Sequence, residues 1–161
     1  MKKEKQQNPS ELFLALSAIL TGFERVDLLG TGLAGAYYDE VVSTVGNRVS
    51  DELWSTIHQI IGRSGKDESR LETAIRRQVL ASPKFGPIAR NIIQMWYVGI
   101  WNELPQAWQE AYGTSPNDTT RVISPEAYKQ GLIWNVMGAH PPAAKQPGFG
   151  SWSQLPGSDL I

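Results

Sequence analysis

Two histidines, three pairs of adjacent carboxylates, one glycine run and one Asn/Asp/Thr cluster are the residues from which this chain would have to build any chemistry. His58 falls on a helical stretch beside Ile57, Ile60 and Ile61, with Trp54 one turn before it. That is the setting of a helix-face histidine with one polar contact, not of a ligand. His140 stands before Pro141 and Pro142 with no acid or second histidine at metal-ligand spacing. To act as a base it would need a carboxylate such as Asp118 or Glu126, and that pairing is the one enzymatic alternative. The pairs Asp39–Glu40, Asp51–Glu52 and Asp67–Glu68 point about 100° apart on a helix and do not converge on one substrate. They read as surface or first-turn acids favoured by the helix dipole.

The glycines of residues 30–35 (GTGLAG) follow no strand and precede no phosphate-loop lysine, so they make no dinucleotide fingerprint. Residues 117–120 (NDTT) lack the alternating acids and closing glutamate of a calcium loop. There is no cysteine, which removes disulfides, thiolate metal sites, iron–sulfur ligation and a cysteine nucleophile together. The expectation is a chain with no catalytic, cofactor-binding or metal site of its own.

The elements that would position such residues are helical. With 161 residues the chain fits one domain able to bury a core without cross-links. Asn8, Pro9 and Glu11 form a helix start, and Leu12, Phe13, Leu16, Ile19 and Leu20 keep helical spacing up to Gly22. A second helix is expected over about Asp27 to Val45, with Leu29, Leu33, Ala36, Tyr37, Val41 and Val45 inward. Gly30, Gly32, Ala34, Gly35 and Ala36 would admit a close neighbour there. Ser50 is expected to cap a third helix carrying Leu53, Trp54, Ile57, Ile60 and Ile61. A fourth turns Leu71, Ala74, Ile75 and Val79 inward, and Ser82-Pro83 breaks it or starts the next.

The strongest stripe is Ile88, Ile92, Met95, Trp96, Gly99 and Ile100, which predicts a central helix over about Pro87 to Trp101. Residues 102–123 are loop-rich, anchored by Trp108 and Tyr112. Ser124, Pro125 and Glu126 start a sixth helix through Tyr128, Leu132 and Ile133 to about Val136. No stretch alternates with period two. The fold class expected is all-α, one bundle of about six helices over residues 1–136 with an extended Pro/Gly-rich arm over residues 137–161.

That arm is rich in proline and glycine yet carries Phe149, Trp152, Leu155, Leu160 and Ile161. Burying one such side chain contributes roughly 1.5–3 kcal/mol, provided a receiving surface exists. The surface is either the chain's own core or another protein. Charge adds an exclusion: 15 Lys and Arg stand against 16 Asp and Glu, evenly in both halves, without the basic stripe of a nucleic-acid binder. No run approaches the roughly 18 apolar residues of a membrane span. The polar first ten residues lack the layout of an export signal. The sequence therefore predicts a soluble chain, cytoplasmic unless a partner carries it to the periplasm.

FLALSAILTG (13–22), LAGAYYDEVV (33–42), IIQMWYVGIW (92–101), SPEAYKQGLIW (124–134) and KQPGFGSW (145–152) occur in this order. Together they resemble the small subunit of bacterial flavin-dependent sugar and polyol dehydrogenases. That family includes the small subunits of membrane-bound sorbitol and fructose dehydrogenases, of the glucose dehydrogenase complex and of glucoside 3-dehydrogenases. The resemblance is most specific at Trp96, Tyr97 and Gly99 and at Lys145, Pro147, Gly148 and Phe149. It implies a non-catalytic helical subunit bound to a large flavoprotein of glucose–methanol–choline type, which holds FAD, with a cytochrome c subunit as a further partner. The family commonly has a twin-arginine export signal, and this chain begins MKKEKQQNPS. The residues expected to meet the partner are Trp96, Tyr97, Gly99, Lys145, Pro147, Gly148, Phe149 and Trp152. A helical adaptor for an unrelated partner is the alternative.

Overall fold

The computed structural model describes residues 8–141. Helix α1 runs Pro9–Thr21, with the Asn8 side chain accepting from the Ser10 amide and Gly22 closing it at φ 75°. The expected second helix is two: α2, Arg25–Gly30, and α3, Ala34–Val45. Helix α4 spans Asn47–Ser64 and α5 spans Glu68–Ile75, continuing into a π turn over Arg76–Leu80. Helix α6 is Gly86–Val98. After it come strand β1, Ile100–Trp101, helix α7, Gln106–Tyr112, and strand β2, Arg121–Val122, paired antiparallel with β1. The last described helices are α8, Pro125–Lys129, and α9, Leu132–Met137.

The molecule is thus predominantly helical, with α1 and α3 touching each other and each packing on both α4 and α6 around the core. Phe13, Leu16, Tyr37, Leu53, Ile57, Ile88, Ile92, Met95 and Trp96 are buried there. Its centre is aromatic: Phe13 stacks on Trp96 at 6.3 Å, and Tyr37 meets Trp96 edge-on at 4.9 Å. Trp54 closes on Phe13 at 6.0 Å. Ile88, Ile92, Met95, Trp96 and Gly99 of the foreseen stripe and Leu53, Trp54, Ile57 and Ile60 of α4 are buried, whereas Ile100 and Ile61 are half-buried.

Four departures have local causes. Gly32 at φ 73° turns the chain between α2 and α3, so the apolar line predicted across them is cut. Leu28 faces the core and Leu29 is 56 % exposed. The glycines here do not admit a neighbour either: a Cβ on Gly30, Gly32 or Gly35 would meet nothing within 4 Å. Ser50 lies inside α4, where its hydroxyl donates to the Gly46 and Asn47 carbonyls instead of capping the helix. The central helix stops at Gly99, φ 71°, three residues after Trp96, which releases Ile100 and Trp101 into the two-stranded ladder. The ladder is held by side chains of helices and loops, so periodicity alone gives no sign of it.

Candidate partner-binding surface

Of the residues expected to meet a partner, the structure brings Trp96, Tyr97 and Gly99 together at the end of α6 and gives each a structural task. Trp96 is 1 % exposed, held between Phe13 and Tyr37. Its indole N–H has no hydrogen-bond partner among the described residues. The Tyr97 hydroxyl donates to the Thr21 carbonyl at 2.8 Å, and its ring meets Phe23 edge-on, so the end of α6 is pinned to the end of α1.

Gly99 combines positive φ with close approach: a Cβ would lie 2.7 Å from the carbonyl carbon and oxygen of Ala127 in α8. A Cβ on Gly131 would likewise sit 2.7 Å from the Tyr97 carbonyl oxygen. Backbone thus packs on backbone where α8 and α9 join α6. Lys145, Pro147, Gly148, Phe149 and Trp152 lie outside the described residues.

Three polar assemblies, unforeseen from sequence, hold the segment after α6. The buried Asp118 carboxylate accepts from the Trp101 indole at 2.9 Å, the Leu104 amide at 3.0 Å and the Gln109 amide side chain at 3.0 Å. Asn91 of α6 exchanges two hydrogen bonds with the backbone of Asn102, at 2.8 and 2.9 Å. Arg121 of β2 pairs with Glu40 of α3. Sequence showed only a loop-rich segment over residues 102–123, with Asp118 as a candidate carboxylate. The usable signal was Trp101 ahead of an acid in the loop-rich segment that follows it, because a buried indole N–H needs an acceptor.

Asp118 is therefore engaged by structural donors, Glu126 accepts from Gln130 at 3.1 Å, and His140 is exposed. His58 lies on the outer side of α4. The phenol of Tyr37 is pushed far up by burial. Tyr38 is raised as well, by burial first and then by Asp51 and Asp39. Glu52 is lowered, first by its hydrogen bond from Lys84.

At the surface, α2 and the α8–α9 pair form the walls of a groove of about 360 Å³. Phe23, Val26 and Thr31 line one side and Gln130, Leu132 and Asn135 the other.

Among the described residues no group of three His, Cys, Asp or Glu is arranged to hold a metal ion. A flavin dinucleotide needs a strand feeding a glycine loop and a helix N-terminus. Residues 30–35 instead connect two helices, and each described strand has two residues. The described residues do not fit FAD.

A family model described as membrane bound FAD containing D-sorbitol dehydrogenase matches residues 1–156. The chain belongs to this family. Within it, the chain is the small, non-catalytic subunit of FAD-containing sugar or polyol dehydrogenase complexes. Membership implies pairing with a large FAD-dependent dehydrogenase subunit. No curated protein and no solved structure matches the chain. Among the described residues, no helix is long and apolar enough to cross a membrane.

Proposed function

We propose that this chain binds, stabilises and helps mature a large flavoprotein of glucose–methanol–choline type, which holds FAD and oxidises the sugar. Residues 1–136 are the body and residues 137–161 the partner-binding arm. Lys145, Pro147, Gly148, Phe149 and Trp152 make the arm's contacts, with Phe149 and Trp152 as aromatic anchors of the kind that dominate interface energetics. Trp96, Tyr97 and Gly99 serve the same binding by setting the frame from which α8, α9 and the arm depart. A cytochrome c subunit is a further partner in this reading. Its location follows the large subunit, cytoplasmic or, by joint export, periplasmic. Membrane attachment, named in the family description, is assigned to the complex.

The observation that carries this reading is the family match over residues 1–156, which spans both body and arm. Co-expression tests it. The large subunit made with this chain is expected to be soluble, yellow and active, with flavin absorbance between about 350 and 500 nm co-eluting with both chains. A large subunit equally soluble, flavin-loaded and active without this chain rejects the proposal.

A further inference from the structure

We infer that the groove between α2 and the α8–α9 pair is the seat on the body for the large FAD-containing subunit. This inference rests on the accessory-subunit reading above and adds where the partner lies.

Val26 and Leu29 of α2 are 68 % and 56 % exposed, and Val136 and Met137 of α9 are 60 % and 65 % exposed. Scattered apolar side chains are normal on a surface, but these four sit on the two short helices that wall one groove, and Val26 lines it. Val26, Leu29 and Gly30 share one side of α2 by helical spacing, and Val26 and Gly30 line the groove. Leu132, Asn135 and Val136 share one side of α9, and Leu132 and Asn135 form the opposite wall. Helices of six residues have little stability of their own, so such outward residues bring the fold nothing.

Charge selects the class of occupant. Asp27 is the single charged residue lining the groove, and no Lys or Arg lines it. An anionic bilayer or a nucleic acid is attracted by basic surface, which the groove does not offer. Apolar side chains among Thr31, Gln130 and Asn135 instead match the apolar centre and hydrogen-bonding rim of a protein interface.

Chain path favours the large subunit over other proteins. Helix α9 walls the groove, and residues 138–161 follow it in sequence and include the arm's proposed anchors. Residues 142–161 can reach about 70 Å at full extension. One large partner on the groove is within reach of the arm, and two linked attachments strengthen each other through effective concentration.

The test uses the full chain co-expressed with its large subunit, comparing Val26→Asp/Val136→Asp with Val122→Asp, an exposed position on β2. Kd is read by interferometry and flavin content by absorbance of the purified complex. The double variant is expected to weaken the complex at least tenfold with the circular dichroism and Tm of the isolated chain unchanged, and Val122→Asp to stay within about twofold. Should the aspartates unfold the chain, Val26→Thr/Val136→Thr replaces them, with a weakening of at least about threefold expected.

Undiminished affinity in the folded variants overturns this surface while leaving the accessory role intact. Failure of the unmodified chain to bind any flavoprotein overturns both. Three other outcomes also overturn the surface. One is a dimer of the isolated chain that the variant converts to monomer. Another is flotation on phosphatidylcholine/phosphatidylglycerol vesicles that the variant abolishes while the complex survives. The third is release of the chain's own C-terminal segment to protease with the complex unaffected.

Discussion

Trp96 and Gly99 lie three residues apart and fail differently when changed. Trp96→Ala opens a cavity between Phe13 and Tyr37 and is expected to cost about 3–5 kcal/mol in urea unfolding. Trp96→Phe is expected to cost clearly less, because the N–H it removes has no hydrogen-bond partner among the described residues. Gly99→Ala adds left-handed strain to a collision with the Ala127 backbone. Gly32→Ala carries the same kind of φ but meets open space, so its cost is the backbone term alone, roughly 1–2 kcal/mol. A Tm loss for Gly99→Ala no larger than that for Gly32→Ala would remove the close-approach role. Sequence showed both glycines with equal clarity and could not rank them, because the difference is a neighbour 28 residues away.

Between elements, Lys84 ties α4 to α7: it pairs with Glu52 and lies 5.4 Å over the Tyr112 ring. The hydrogen bond from Lys84, with the charges of Lys84 and Arg48, holds the Glu52 carboxyl below the usual glutamate range against the opposing effect of burial. A carboxyl lowered on folding stabilises fully above its unfolded value of about 4.3, and that contribution is lost as pH falls through the folded value. Glu52→Gln is therefore expected to lower the urea midpoint slightly at pH 7 and to equal the parent near pH 2. A gap that persists in acid would assign the effect to packing. The helices whose apolar stripes run unbroken, α1, α4 and α6, were legible from spacing alone. Those cut at a glycine were not, since Gly32, at positive φ, and Gly131, packed against the Tyr97 carbonyl, leave the periodicity readable across the break. The β1–β2 ladder was hidden for another reason: two residues per strand are too few to show alternation, and its supports, Asp118 and Asn91, are single polar residues.

On the scale of the whole molecule, body and arm are expected to separate in their effects. Deleting residues 148–161 should weaken the complex with the large subunit far more than it lowers the Tm of the isolated chain. A truncation that melts the body at the same denaturant concentration as it dissolves the complex would make the arm part of the core. The accessory role was legible because the ordered motifs span body and arm. The apolar face on α2 and α9 was not, because Leu29 reads as an inward residue until the helix is seen to end at Gly30. The bond from Tyr97 to the Thr21 carbonyl joins residues 76 apart in the chain. At about 5–20 residues per second of synthesis, α1 waits roughly 4–15 s before its clasp to α6 is made. The segment after α9 is made after the closing helices, which by then already exist. In the order of biosynthesis, the body can be finished before the arm is free to capture its partner.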